Sequence, residues 1–265
     1  MKITFIGAGN MAEAIIAGII KNKKISEEEI TISDISQERL DYMKQILGVK
    51  LAANNADAVK DAEVVFLAIK PQVFDNVWES LQESISSSAL IISIMAGISS
   101  DKIESGSQRR VIRVMPNTPS LIGEGASGVA PGKYALDGDM KIALDLMSAC
   151  GLALEFSEAQ LHAVTALSGS GPAYIFYFIE AMRNAGIELG LSDEQANLLA
   201  TATASGAGKM AQISNASAEE LRNRVTSKGG TTAAAINLLD DQKIKDTIYA
   251  AMKAAYSRSK ELGES

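Results

Sequence analysis

Lys2-Ile3-Thr4-Phe5-Ile6-Gly7-Ala8-Gly9-Asn10-Met11-Ala12 opens the chain and decides how the rest of it is read. Residues 2–6 have the apolar, β-branched character of a short buried strand. The stretch after them, to Lys21, places Met11, Ala14, Ile15 and Ile19 on one helical face. Between the two lie a pair of glycines and, at the third small position, an alanine. Gly7 permits a tight turn, Gly9 lets backbone approach a pyrophosphate, and Ala12 is small enough for the helix to pack on a sheet. The free N–H groups of a helix start attract phosphate. Small residues also recur at strand–helix turns for packing alone. What favours nucleotide binding is this turn's place on the first strand of an alternating chain.

Working outward, apolar runs at 30–33, 49–51, 64–69, 90–94 and 111–114 read as strands. Amphipathic stretches at 36–46, 73–81 and 136–149 read as helices. Strands that are apolar on both faces and separated by helices indicate a parallel sheet covered on both sides. Residues 1–157 are therefore expected to form an α/β, Rossmann-type dinucleotide-binding domain. From about residue 158 the strand signals stop and alanine-rich helical periodicity takes over. Pro172 sits where a helix over 173–189 should begin. Ser192-x-x-Gln195 and Ser217-x-x-Glu220 read as capping boxes. Thr231 or Thr232 is expected to cap a further helix, and a long terminal helix is expected over 241–262. Residues 158–265 thus read as an all-helical substrate-binding and dimerisation domain.

The bulk composition narrows the function classes. The chain has 265 residues, 25 basic against 32 acidic side chains and a net charge of −7, which disfavours nucleic-acid partners. One cysteine, Cys150, allows no internal disulfide. With no signal-like segment and no long apolar run, this points to the cytoplasm and away from a membrane. One histidine, His162, and one cysteine make no metal cluster, so no metal is expected. A chain so poor in proton-transfer groups, if it is an enzyme, takes its chemistry from a cofactor. His162, Cys150 and the aromatic residues read first as packing residues.

Further candidates lie at the carboxyl ends of the other strands, where open α/β sheets bind ligands. Asp34, after the second strand, is placed either to accept hydrogen bonds from an adenosine ribose, favouring NADH, or to cap the next helix. Ser33, Ser36 and Arg39 offer the alternative of a 2′-phosphate site, favouring NADPH. Ala68-Ile69-Lys70-Pro71, Ala96-Gly97 and Met115-Pro116-Asn117-Thr118-Pro119 end later strands. In the helical half, Ser168-Gly169-Ser170-Gly171-Pro172 and Ser227-Lys228-Gly229-Gly230-Thr231-Thr232 each appose hydroxyls to an expected helix start. That combination suits a carboxylate, or simply turns the chain and caps a helix.

Taken together, these segments resemble pyrroline-5-carboxylate reductase over nearly the whole chain. The residues that carry the resemblance are Phe5 to Met11, Ala68 to Pro71, Met115 to Pro119, Ser168 to Tyr174 and Val225 to Thr232. The first segment is common to many dehydrogenases; the last two, in this order, are specific. The resemblance implies reduction of L-1-pyrroline-5-carboxylate to L-proline by NADPH or NADH, the last step of proline biosynthesis. It implies that Gly7, Ala8, Gly9, Asn10 and Met11 hold the pyrophosphate and that Ser33 lies at the adenosine end; Ile6 and Asp34 are further cofactor-binding candidates. Asn55, Ala68, Lys70, Pro71, Ala96, Gly97 and Asn117 would line the cofactor. Ser227, Gly230, Thr231 and Thr232 would hold the substrate, with Thr232 the catalytic contact to the ring nitrogen. It further implies a homodimer through interlocking helical domains and, beyond it, a decamer assembled of dimers.

Two positions depart from that family's pattern. Lys228 stands where proline is usual, adding a cation near the expected carboxylate. Asp34 leans toward NADH in a family that often uses NADPH, so cofactor preference stays open. The alternatives are a β-hydroxyacid dehydrogenase, a deazaflavin-linked NADP oxidoreductase and a non-catalytic NAD(P)-sensing module. The first would place a lysine in the helix after Pro172, and none occurs before Lys209. The second would not need the 229–232 loop, and the third would bind nucleotide without turning over an imine.

Overall fold

The computed structural model describes residues 1–264. In chain order the elements of the first half are β1 Ile3–Ile6, α1 Asn10–Lys21, β2 Ile30–Ser33, α2 Gln37–Leu47, β3 Lys50–Leu51, α3 Asn55–Val59, β4 Val64–Leu67, α4 Phe74–Leu81, β5 Leu90–Ser93, α5 Ser100–Glu104 and β6 Arg110–Met115. Then follow β7 Gly125–Pro131, α6 Asp137–Ser148, β8 Gly151–Glu155, α7 Leu161–Val164, α8 Gly171–Glu188, α9 Asp193–Ile213, α10 Ala218–Arg224, α11 Thr231–Asp241 and α12 Ile244–Glu264. The chain divides into two compact units. One is Met1–Ser170 with the terminal turns from Ala255; the other is Gly171–Ala254.

In the first unit one eight-stranded sheet runs in the order β3-β2-β1-β4-β5-β6-β7-β8. β1 pairs in parallel with both β2 and β4, so the strand order reverses there. That reversal opens the crevice where such sheets take ligands. The apolar strands stay because both faces are covered. Phe5 and Phe66 stack at 4.4 Å on one face, with Ile15, Ile16 and Ile19 of α1 fully buried against them. On the other face Trp78, Leu81 and Ile91 pack together. Each large side chain so buried contributes about 1.5–3 kcal/mol.

The parallel sheet expected from the sequence is extended by two strands that it did not announce. β7 runs antiparallel to β6, and β8 parallel to β7. Gly125-Ala126-Ser127-Gly128-Val129-Ala130-Pro131 lacks the β-branched signature, and its small residues are there for close packing. A Cβ at Gly128 would lie 2.8 Å from a Val164 methyl.

Three local expectations are corrected. Ser168 to Pro172 leads into α8 from Gly171, as expected, but not as an open loop: residues Thr165–Gly169 form a π turn between α7 and α8. The Ser170 N–H donates to the Thr165 carbonyl at 2.8 Å, and the Ser168 hydroxyl to the Val164 carbonyl at 3.1 Å. The Ser170 N–H and the Ser168 hydroxyl, which an anion would need, are used internally. Gly230, not Thr231 or Thr232, is the N-cap of α11. The terminal helix begins at Ile244, because Lys243 adopts a left-handed φ of 54° that separates it from α11.

In the second unit both capping boxes form: Ser192 with Gln195 opens α9, and Ser217 with Glu220 opens α10. α8 packs on α9, where the absence of a side chain at Gly186 lets Ala196 approach. The unit nevertheless buries little. Among its described residues only Ala196 and Ala200 are buried apolar side chains, while Phe176 is 64% and Tyr177 72% exposed.

Candidate active site

Parallel register brings the carboxyl ends of the central strands to one edge. Ile6 lies beside Ser33 and Leu67, and Leu67 beside Ser93. The loops that leave this edge contain Gly7 to Gly9, Ser33-Asp34, Ala68 to Pro71 and Ala96-Gly97. Two backbone bonds hold the first of them: Gly7 N–H donates to the Ser33 carbonyl and Ala68 N–H to the Ile6 carbonyl, each at 2.8 Å. Gly7 has φ +98°, and a Cβ there would lie 2.6 Å from the Ala68 carbonyl oxygen. It is the hinge of the turn and has no room for a side chain. Gly9 differs, because a Cβ there meets nothing within 4 Å. Its bareness serves the space beyond the loop.

Gly9 is the N-cap of α1, and no side chain caps that helix. The N–H groups of Asn10 and Met11 therefore face the loop with the helix dipole behind them, a cradle for a pyrophosphate. The bare Gly9 and the uncapped helix are the features on which a dinucleotide fits this edge.

Asp34 does not cap α2; the Ser36 hydroxyl does, accepting from the Arg39 N–H. Asp34 instead accepts the Ala8 N–H at 2.7 Å and the Ser36 N–H at 2.9 Å. Arg39 donates from Nε to the Ala8 carbonyl at 2.6 Å and pairs with Glu13 in the first turn of α1. The Ala8 peptide groups are thus held by one acid and one base from the β2–α2 segment. Ser33 is buried, and its hydroxyl donates to Asn55 Oδ1 at 2.7 Å. Ser33, Ser36 and Arg39, the set read as a 2′-phosphate site, all have internal partners. Sequence reasoning missed this bracket on the glycine loop; the only signal was an acid, Glu13, in the first turn of α1.

Ala68 and Pro71 are half-buried, while Lys70 and Ala96 are exposed at the edge. Asn117 is different. It is 7% exposed, its Nδ2 donates to the Ser168 carbonyl at 3.0 Å, and its Oδ1 accepts the Ala126 N–H at 2.9 Å. Its amide ties β7 to the π turn, and so acts as scaffold.

In the second unit, Ser227, Gly230, Thr231 and Thr232 come together at the N-terminus of α11. Gly230 N–H donates to the Ser227 carbonyl at 3.1 Å, closing a four-residue turn. Gly229 takes the left-handed position of that turn, with φ +73°. A Cβ at Gly230 would lie 2.6 Å from Ser227 Oγ, so the hydroxyl overhangs the helix start. No side chain caps α11, and its first N–H groups and the Thr232 side chain share this end with Ser227. Backbone donors, a helix dipole and hydroxyls in one small arc can hold a carboxylate and leave one hydroxyl for a neighbouring polar atom.

The other two candidates have structural settings. Cys150 is buried, and burial pushes its thiol up to about 11, which disfavours the nucleophilic thiolate. His162 Nδ1 lies 3.0 Å from Ser259 Oγ. Among the described residues no group of three or more metal-ligating side chains occurs, and no helix is long and apolar enough to cross a membrane.

Comparison with known proteins accords with this geometry. A family model described as pyrroline-5-carboxylate reductase dimerisation matches residues 158–262, and one described as NADP oxidoreductase, coenzyme F420-dependent, matches residues 2–97. The pyrroline-5-carboxylate reductase of Methanosarcina acetivorans is 41% identical over 99% of this chain and 98% of its own length. That of Pseudomonas aeruginosa is 42% identical over 99% and 97%. Among solved structures, a pyrroline-5-carboxylate reductase from Coxiella burnetii superposes with a TM-score of 0.94 at 39% identity, covering 100% of this chain and 99% of that one. The Plasmodium falciparum pyrroline carboxylate reductase with NADP bound superposes at 0.88 and 31% identity, covering 99% and 98%.

Proposed function

The chain belongs to the pyrroline-5-carboxylate reductase family, and on that premise we propose that it reduces L-1-pyrroline-5-carboxylate to L-proline with NADH or NADPH as reductant. The observation that carries this reading is the Ser227–Thr232 arc at the start of α11. The glycine turn of β1–α1 is common to many nicotinamide enzymes, whereas this arc is a carboxylate holder with a spare hydroxyl, inside the segment the family model covers. An F420-linked reductase is favoured only by the match over residues 2–97 and has no use for the arc.

The reduced nicotinamide supplies a hydride to the imine carbon. The pyrroline nitrogen is basic enough to arrive largely protonated, so no strong acid is needed, and a chain with one histidine suffices. What remains is binding and orientation. We assign the pyrophosphate to Gly7, Gly9 and the first N–H groups of α1, and the adenosine ribose to Asp34 with Ser33 and Asn55 behind it. Ala68, Lys70, Pro71, Ala96 and Gly97 line the cofactor. The Ser227 hydroxyl and the N–H of Thr231 fix the carboxylate, with Gly230, whose own N–H is taken by the Ser227 carbonyl, leaving room beside them. Thr232 accepts a hydrogen bond from the protonated ring nitrogen and donates one to the amine as it forms.

We also propose that residues 158–265 act as the substrate-binding and dimerisation domain. The exposed aromatic and aliphatic side chains of α8 and α9 call for a second copy of the chain. A homodimer is the minimal assembly, with larger rings of dimers built from it, and one unbridged, buried cysteine suits the cytoplasm. The test is a spectrophotometric assay of NADH and NADPH oxidation with pyrroline-5-carboxylate. Nucleotide binding without turnover of the imine would replace this reading with a nucleotide sensor.

A further inference from the structure

Gly97 stands in the loop after β5 with a left-handed φ of +78°, and what crowds it is the last turn of α12. A Cβ at Gly97 would lie 2.8 Å from the carbonyl oxygen of Leu262, in the last turn of α12. One residue on, a Cβ at Gly263 would lie 3.3 Å from His162 Cε1 and 3.8 Å from the Gly97 carbonyl oxygen. His162 in turn reaches Ser259 with Nδ1 at 3.0 Å, and its ring meets Tyr256 edge-on at 6.3 Å. The only imidazole of the chain therefore fastens the terminal turn of α12 where that turn touches the loop. A small cavity of about 100 Å³ lies among Gly97, Ser99, Arg113, Glu158, His162 and Gly263.

The same loop is held from the other side. Glu158 accepts the Ser100 N–H at 2.8 Å and the Ser100 hydroxyl, and pairs with Arg113 at 3.0 Å. Burial alone would raise the Glu158 carboxyl; the Ser100 and Arg113 hydrogen bonds and the Arg113 charge hold it below the usual range. Arg113 also donates to the Met95 carbonyl at 3.4 Å. Residues 95–100 are thus gripped at both ends by Arg113 and Glu158, and in the middle by Leu262 and Gly263. All of these residues lie in the first unit.

We infer that the terminal turn of α12, fastened by the His162–Ser259 contact, is a positioning element that fixes the Ala96-Gly97 loop for the dinucleotide. This rests on the reading that Ala96 and Gly97 line the cofactor. A loop containing a left-handed glycine has soft dihedrals, and a ligand that must order it binds less tightly than one that finds it ordered. The glycine at 97 is required by the Leu262 carbonyl. The loop and the last turn of α12 are built to touch.

The test compares the full chain with a chain ending at Lys260 and with Ser259→Ala, His162→Ala and His162→Asn. NADH and NADPH binding is followed by fluorescence, and amide hydrogen exchange by mass spectrometry. Truncation should weaken both nucleotides by about tenfold, with the nucleotide KM rising more than kcat falls. Exchange at 95–100 should rise without nucleotide present, while β1, β4 and β5 stay protected. His162→Asn, which keeps a hydrogen-bonding group near the Nδ1 position, should recover most of what His162→Ala loses. Unchanged exchange and affinity in the truncated chain overturn the inference. Faster exchange at 95–100 with unchanged affinity leaves the contact but removes Gly97 from the cofactor site, and so fails the underlying reading instead.

Discussion

The Asp34 carboxylate reaches back from the end of β2 to accept the Ala8 N–H at 2.7 Å, which sets a negative charge against the glycine loop. The same carboxylate stands where an adenosine ribose is expected, and a 2′-phosphate brought there meets it as a like charge. Arg39 cannot answer that charge without leaving Ala8 and Glu13. NADH is therefore expected to bind more tightly than NADPH. Asp34→Ser should narrow or reverse the preference by about tenfold or more, read by fluorescence titration of both nucleotides. Equal affinities in the parent chain would remove Asp34 as the discriminator.

The two glycines of the first turn should fail in different ways. Gly7→Ala forces a Cβ toward the Ala68 carbonyl at a left-handed φ, so its unfolding temperature should fall by several degrees. Gly9→Val places its branch in open space, so the fold should stand while nucleotide affinity drops by about tenfold or more. Calorimetry and a binding titration on both variants separate the two effects. A folded Gly9→Val chain that binds NADH normally would end the pyrophosphate assignment.

Thr232 is the side chain assigned to the chemistry. Because Gly230 and not a threonine is the N-cap of α11, the loss of about 1 kcal/mol expected of a missing cap should not appear in Thr232→Ala. Turnover should fall by roughly tenfold to a thousandfold, with nucleotide affinity unchanged. Turnover near that of the parent chain would take Thr232 out of the mechanism.

The exposed apolar residues of α8 should lie in an interface. Sedimentation at micromolar concentration is expected to give a dimer or a multiple of it. Phe176→Glu, at a position 64% exposed in the single chain, should shift the population toward monomer. A stable, active monomer in the parent protein would contradict this.

Acid should weaken the fold through Asp139. This side chain is fully buried beside Arg110. Burial by itself would raise its carboxyl, but the hydrogen bonds from Arg110 and the Leu136 N–H, with the Arg110 charge, hold it below the usual range. A carboxyl lowered in the folded state gives stability that is present above its unfolded pKa, about 3.9, and lost as pH falls through the folded value. Asp139→Asn should lower the unfolding temperature by roughly 3–6 °C at pH 7, and the difference should shrink by pH 3. A constant difference across that range would mean the charge is not what matters.

The sequence by itself determined what depends on neighbours along the chain. A strand ending at Ile6, a turn of small residues and a helix from Asn10 follow from local sterics and periodicity. So do the Ser192 and Ser217 caps, whose partners are three residues away. The gathering of Ser227, Gly230, Thr231 and Thr232 was legible for the same reason. Tertiary structure alone decided contacts between residues distant in sequence. The β7 segment, rich in glycine and alanine, becomes a strand because β6 and β8 offer it partners. Ser168-Gly169-Ser170 becomes a π turn because the bare Gly169 admits Met115, where a Cβ would lie 2.6 Å from Cε, and because Asn117 binds the Ser168 carbonyl. Asp34 meets Ala8 across 26 residues, and His162 meets Ser259 across 97. No periodicity records such pairs, because a hydrogen bond formed across a fold depends on where two elements are packed and not on what precedes either residue in the chain.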